Sequence, residues 1–135
     1  MAEQLQVKNK EKFYRGKNVE ELKQLDTREF AKLVKARARR TLLRNFDVVE
    51  KFVKKCQERT AKDKNIRTHD RSLVIVPQML DLIIYVHNGN GYIPVKITDQ
   101  MLGHRLGEFA LTRRPVKHGA AGVGATKSSA SLSVK

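Results

Sequence analysis

Four histidines, a single cysteine and a glycine-rich stretch near the C-terminus are the residues of this chain whose types invite a chemical reading. A zinc site needs His or Cys ligands at short, regular spacings. His69, His87, His104, His118 and Cys56 are scattered, and no two stand at such a spacing. His104 and Glu108 are four residues apart, but Gly107 argues against one continuous helix there. Gly119 and Gly124 have the separation of the glycines in a phosphate loop. Ala125, however, stands where that loop needs lysine, and Lys127 comes two residues late. No strand precedes the segment to fix it, and only seven residues follow Ser128, too few for the helix whose N-terminus would face the phosphates. No Ser/His/Asp or Cys/His arrangement stands out. The sequence therefore supports no enzyme, no metal, no cofactor and no small-molecule substrate.

What the chain does carry is positive charge, and unevenly. Residues 31–67 hold thirteen basic and four acidic side chains, residues 112–135 hold five basic and no acidic ones, and residues 68–111 are nearly neutral at three against four. A near-neutral folded unit flanked by cationic segments suits a polyanion. The self-repulsion of a net charge of +14 on so small a chain strengthens that reading, because a polyanion would offset it. The candidate contacts fall in clusters: Arg37, Arg39, Arg40 and Arg44; Arg67, Thr68, His69 and Arg71; His104 and Arg105; and Arg113, Arg114, Lys117 and His118. Arginine suits phosphate because its planar fork bonds two oxygens at once and stacks on bases. Glycines beside these clusters, Gly103 and Gly107 among them, are expected to let the backbone come close to nucleic acid. Lys51, Lys54 and Lys55 read equally well as a solvated helix face.

These clusters need elements to position them. Residues 1–17 are polar and read as a flexible arm. Asn18 with Glu21 is placed to start a short helix over Val19–Leu25, and Asp26 with Glu29 a longer one over 27–43, whose apolar face is Phe30, Leu33 and Val34. Asp47 with Glu50 marks a helix over 48–59, with Val48, Val49, Phe52, Val53 and Cys56 on one stripe that packs on a sheet. The period then shortens. Ser72–Val76, Leu82–Val86 and Tyr92–Ile97 read as strands, with Asn88-Gly89 as a hairpin turn between the last two. Pro94 cannot donate to a ladder, which puts the third strand at an edge. Thr98 is placed to cap a single turn over Asp99–Leu102. From Thr112 onward no hydrophobic period remains. The expected fold is α+β, a small three-stranded sheet with N-terminal helices packed on it. The expected units are an arm over 1–17, a basic helical segment over 18–65, an α+β core over 66–111 and a basic Gly/Ser-rich tail over 112–135.

With 135 residues there is room for one domain, and an aromatic content of 6% makes its core small and aliphatic. No run approaches the roughly 18–20 apolar residues of a membrane-spanning helix. Met1-Ala2-Glu3-Gln4 lacks the charged-then-apolar pattern of a signal peptide, and a lone cysteine forms no intrachain disulfide; both favour a cytoplasmic protein. A module for anionic membranes needs an apolar anchor opposite its basic face, and the tail has none. A free DNA-binding protein using the 27–43 helix leaves the Gly/Ser tail unexplained.

Several strings together resemble one known family. Ile66-Arg67-Thr68-His69-Asp70-Arg71-Ser72, Val76-Pro77-Gln78-Met79, Val86-His87-Asn88-Gly89 and Pro94-Val95-Lys96-Ile97 are similar to universal small-subunit ribosomal protein nineteen. So is Met101-Leu102-Gly103-His104-Arg105-Leu106-Gly107-Glu108-Phe109, which is the most specific of them. Phe13-Tyr14-Arg15-Gly16, Ala36-Arg37-Ala38-Arg39-Arg40 and Pro115-Val116-Lys117-His118-Gly119 resemble the archaeal and eukaryotic branch, as do His69 and Leu111, where bacterial members typically have Trp and Pro. The resemblance implies an α+β fold in the head of the small ribosomal subunit, bound to small-subunit rRNA beside ribosomal protein thirteen. It also implies a C-terminal tail that reaches toward the tRNA-binding region.

Overall fold

The computed structural model of the chain describes residues 13–115. It opens with a two-stranded hairpin, β1 (Phe13–Tyr14) and β2 (Lys17–Asn18), turned by Arg15 and Gly16, both at positive φ. Four helices follow: α1 (Val19–Gln24), α2 (Thr27–Leu33), α3 (Ala36–Arg44) and α4 (Phe46–Ala61). The sheet is built from β3 (Ile66–Thr68), β4 (Ile83–His87) and β5 (Tyr92–Lys96), in the order β3-β4-β5. β3 runs parallel to β4, and β4 antiparallel to β5. Single 3₁₀ turns stand at Pro77–Met79, Asp99–Met101 and Leu106–Phe109. The fold is α+β, as expected.

The strand period divides the sheet into two faces. Ile66, Thr68, Ile84, Val86 and Val95 are buried on one. Helix α4 packs against that side, burying Val49, Phe52, Val53 and Cys56, each worth about 1.5–3 kcal/mol of apolar burial for the larger side chains. The burial pushes the Cys56 thiol up to about 11, so it stays protonated and behaves as a small apolar group. Arg67, Tyr92, Pro94 and Lys96 are exposed on the opposite face, with Ile83 51% exposed, so this side is open to solvent. Pro94 sits on the edge strand β5, and the turn before it holds Gly89 at φ +103, with the Asn88 side chain accepting from the Asn90 and Gly91 amides.

Several expectations change. The helix expected over 27–43 is two helices, broken at Val34 and Lys35, whose ψ angles are extended at 166 and 151. On an unbroken helix Leu42 would lie about 120° around the axis from Phe30. The break lets both be buried in one core. Arg39 secures it by donating from Nε to the Ala31 carbonyl at 3.1 Å and from Nη2 to the Lys32 carbonyl at 3.0 Å. These are α2 carbonyls left without partners at its C-terminal end. The first sheet strand is Ile66–Thr68, not Ser72–Val76. Leu73, Val74, Ile75 and Val76 are all buried, and their backbone bonds to the 103–106 loop instead: Ile75 N–H to the His104 carbonyl at 2.8 Å, Gly103 N–H to Ile75 at 3.1 Å and Leu106 N–H to Leu73 at 3.0 Å. Both edges of β4 are already taken by β3 and β5, so this run finds its partner elsewhere.

Smaller corrections concern ends and caps. Helix α4 begins at Phe46, ahead of Asp47, and Val48 is 50% exposed rather than part of the buried stripe. Asp26 accepts from the Thr27 amide at 2.7 Å, whereas Asn18 and Thr98 occupy cap positions without a side-chain cap bond. The arm expected over 1–17 includes the β1 strand, whose Tyr14 packs on the core; residues 1–12 lie outside the described region. One continuous core runs from Leu22 to Ala110, so the segments expected over 18–65 and 66–111 share it.

Candidate nucleic-acid interface

Helix α3 presents Arg37, Arg40 and Arg44 outward, all exposed. The loop carrying His104 and Arg105 comes to lie against it, with Arg105 Nη2 donating to Thr41 Oγ1 at 3.4 Å. Two adjoining hollows result. One, of about 450 Å³, is lined by Arg15, Lys35, Arg37, His104 and Arg105, among others. The other, of about 330 Å³, is lined by Arg37, Arg40, Arg44 and Arg105. Arg37 and Arg105 border both, so the pair form one cationic trough. A cleft walled by one sign of charge concentrates the field that draws an anion in.

The acid in the trough is Glu108, and its charge is already engaged. Its Oε2 lies 2.7 Å from His104 Nδ1, and its Oε1 accepts from the Arg105 amide at 3.1 Å. Burial acts to raise its carboxyl, but these hydrogen bonds and the neighbouring cations outweigh it and hold the carboxyl below its ordinary value. The spacing of His104 and Glu108 was thus meaningful without a helix. The 3₁₀ turn over Leu106–Phe109 brings them together and leaves Gly107 in place.

The glycines of this loop serve the protein's own packing. Gly103 has φ +77, and a Cβ there would stand 3.0 Å from Tyr14 Oη and 3.2 Å from Val34 Cγ1. A Cβ on Gly107 would stand 2.9 Å from the Arg71 carbonyl oxygen, closer than side-chain carbons come to backbone. Both glycines thus allow a close approach within the chain itself.

Arg71 explains why the loop must come so near. Its guanidinium is half-buried and donates to three backbone carbonyls: from Nη1 to His87 at 2.6 Å, and from Nη2 to Gly107 at 2.9 Å and to Ala110. It pins the end of β4 to the loop that bears His104 and Arg105. Thr68 is buried, with its hydroxyl accepting from the Asp70 amide at 3.0 Å. Arg39 caps α2 as described. These three candidate contacts therefore have structural work inside the fold.

Arg67 and His69 lead to a second region that sequence reasoning only half saw. The His69 and His87 rings lie 4.3 Å apart at 31°, and both stand edge-on to Tyr92. His69 Nε2 is 2.7 Å from Tyr92 Oη, and the Arg67 guanidinium lies 5.3 Å over the Tyr92 ring. His87 and Tyr92 are a cross-strand pair, so the Asn88-Gly89 hairpin turn carries the signal that joins them. Arg15 and Lys35 of the trough were likewise missed; Lys35 directly precedes α3 in the chain, while only tertiary packing brings Arg15 beside it. Arg113 and Arg114 are exposed, and Lys117 and His118 lie outside the described residues. Among the described residues no group of three metal-ligating side chains occurs.

An α+β domain with a cationic trough of this kind belongs with nucleic-acid-binding proteins by its chemistry. Residues 37–118 match the sequence model of the family described as Ribosomal protein S19, more than half of the chain, and the chain belongs to that family. It is a ribosomal protein of the small subunit and takes part in translation. The match begins at Arg37 and ends at His118, so it contains every candidate contact named from the sequence. The hairpin, α1 and α2 precede it, yet Arg15 and Lys35 from that portion line the trough.

Proposed function

We propose that the protein is a structural constituent of the small-subunit head that binds small-subunit rRNA through the α3 trough, in the cytoplasm, without catalysing a reaction. The observation that carries this is the convergence of Arg37, Arg40 and Arg44 from α3 with Arg105 from a distant loop, next to one acid, Glu108, that is already hydrogen-bonded to His104 and to the Arg105 amide. Phosphate groups of a folded-back RNA strand fit such a trough, each held by a forked guanidinium. Arg67 and His69 extend the contact onto the sheet. Arg113, Arg114, Lys117 and His118 continue it along the C-terminal segment, which reaches toward tRNA, with ribosomal protein thirteen as the neighbour. The archaeal/eukaryotic type of the family is the one the strings around Phe13 and Arg37 favour.

Cross-linking in cells followed by sequencing of the bound RNA tests the reading. Small-subunit rRNA of the head is expected to dominate at the trough, and tRNA to appear only at cross-links from the C-terminal segment. In vitro, Arg37→Ala with Arg105→Ala should lower affinity for a small-subunit rRNA head transcript and reduce the salt dependence by roughly two phosphate contacts, with the fold retained. Unchanged affinity in the folded double variant would remove the trough from the interface.

A further inference from the structure

The open face of the sheet has a composition that phosphate binding does not require. Residues 66–69, 83–87 and 92–96 contain no acid, and their outward positions combine cations with rings. At one corner three rings meet, those of His69, His87 and Tyr92, the only place among the described residues where that many touch. His69 is exposed and Tyr92 is 38% exposed, so the cluster does not seal the core. Arg67 lies over Tyr92, within reach of whatever covers the rings.

We propose that this corner is a stacking site for a single unpaired nucleobase of RNA, laid against the tilted His69–His87 ring pair, with the adjoining phosphate held by Arg67. The inference rests on the rRNA-binding reading and adds what part of the RNA this face takes. Flat rings accept a base whatever its identity, because every base has a π-face. A duplex keeps its bases stacked inward and offers the corner only backbone, so the site selects bulges, loops and ends. The absence of carboxylates on these strands and the presence of Arg67 and Lys96 favour an anionic partner such as a nucleotide over a neutral apolar one. Arg71 holds the His87 carbonyl, so the base site and the phosphate trough keep a fixed separation.

The test uses the full chain and two RNA probes: a continuous duplex, and the same duplex with one bulged 2-aminopurine. The native protein is expected to bind the bulged RNA about tenfold more tightly, with a change in the 2-aminopurine fluorescence. His69→Ala with His87→Ala should abolish both, bringing affinity for the bulged RNA down to that of the same variant for the duplex. His69→Phe, which restores a ring, should retain both, and this distinguishes a stacking surface from a misfolded hairpin. Equal affinity of the native protein for the two RNAs, or an unchanged fluorescence response in the double alanine variant, overturns the proposal. If the native protein binds neither RNA, the rRNA-binding reading fails and takes the stacking site with it. If it binds both equally, only the stacking site fails.

Discussion

The trough beside α3 and the open face of the sheet are both exposed and both basic, yet they are built from different chemistry. In the trough, guanidinium groups from α3 and the 103–108 loop stand side by side, and the one acid is tied to His104. On the sheet, cations are fewer and the contact surface is made of rings, with Arg67 laid over Tyr92 instead of pointing away from it. The two are joined by Arg71, which has the same side chain as the trough residues but is turned inward onto three carbonyls. Identical residue types therefore serve different ends according to what their donors meet. An arginine with unmet carbonyls nearby becomes a structural pin, while one on the solvent side of a helix remains available to an anion.

The strongest way to break the contrast is to remove the pin. Arg71→Lys keeps the charge but cannot fork between carbonyls, and urea unfolding should show a loss of about 3 kcal/mol. Because both regions hang on it, RNA affinity of the folded fraction should fall for duplex and bulged probes alike. A stable variant with normal binding would mean that the loop and β4 hold their places without it.

A finer separation comes from two adjacent arginines. Arg39→Ala removes the cap on α2 and should cost about 1 kcal/mol of stability with little change in rRNA affinity. Arg40→Ala should do the reverse, weakening rRNA binding and lowering its salt dependence while the melting temperature stays put. Similar behaviour of the pair would erase the distinction between an arginine engaged on carbonyls and one left to solvent.

The smallest effect concerns Glu108. Its carboxyl is held below its ordinary value of 4.5 in the folded chain, so the stability it contributes is present above that value and is lost as pH falls through the lower folded value. Glu108→Gln should therefore cost a little stability near neutral pH and almost nothing in strong acid, as read by thermal melts across that range. A cost that does not shrink on acidification would show that shape, and not charge, matters at this position.

Much of this was open to inspection in the chain. Helix α4 could be placed because Val49, Phe52, Val53 and Cys56 repeat at one period over a long stretch, and the β4–β5 hairpin because Asn88-Gly89 and Pro94 admit few alternatives. Leu73–Val76 misled because a run of apolar, β-branched residues says that a segment is buried and extended, not which backbone it pairs with. Ile66–Thr68 was missed because three residues with a central arginine carry too little pattern to mark a strand.

By itself the sequence determined the charge on each segment, the periods of the principal helix and hairpin, and the kind of partner such a chain can serve. These are local or additive quantities, and they do not depend on what lies across the fold. The tertiary structure alone decided which arginines have their donors engaged within the fold. Arg39 and Arg40 are neighbours, and so are Asp70 and Arg71 beside the exposed His69, yet the first of one pair and the second of the other are spent on carbonyls that only packing brings within reach. It also decided that His69, His87 and Tyr92 form one surface, because parallel pairing of β3 with β4 and the hairpin to β5 bring together side chains far apart in the chain. A hydrogen-bond acceptor has no address in the sequence; its position exists only once the chain has closed upon itself.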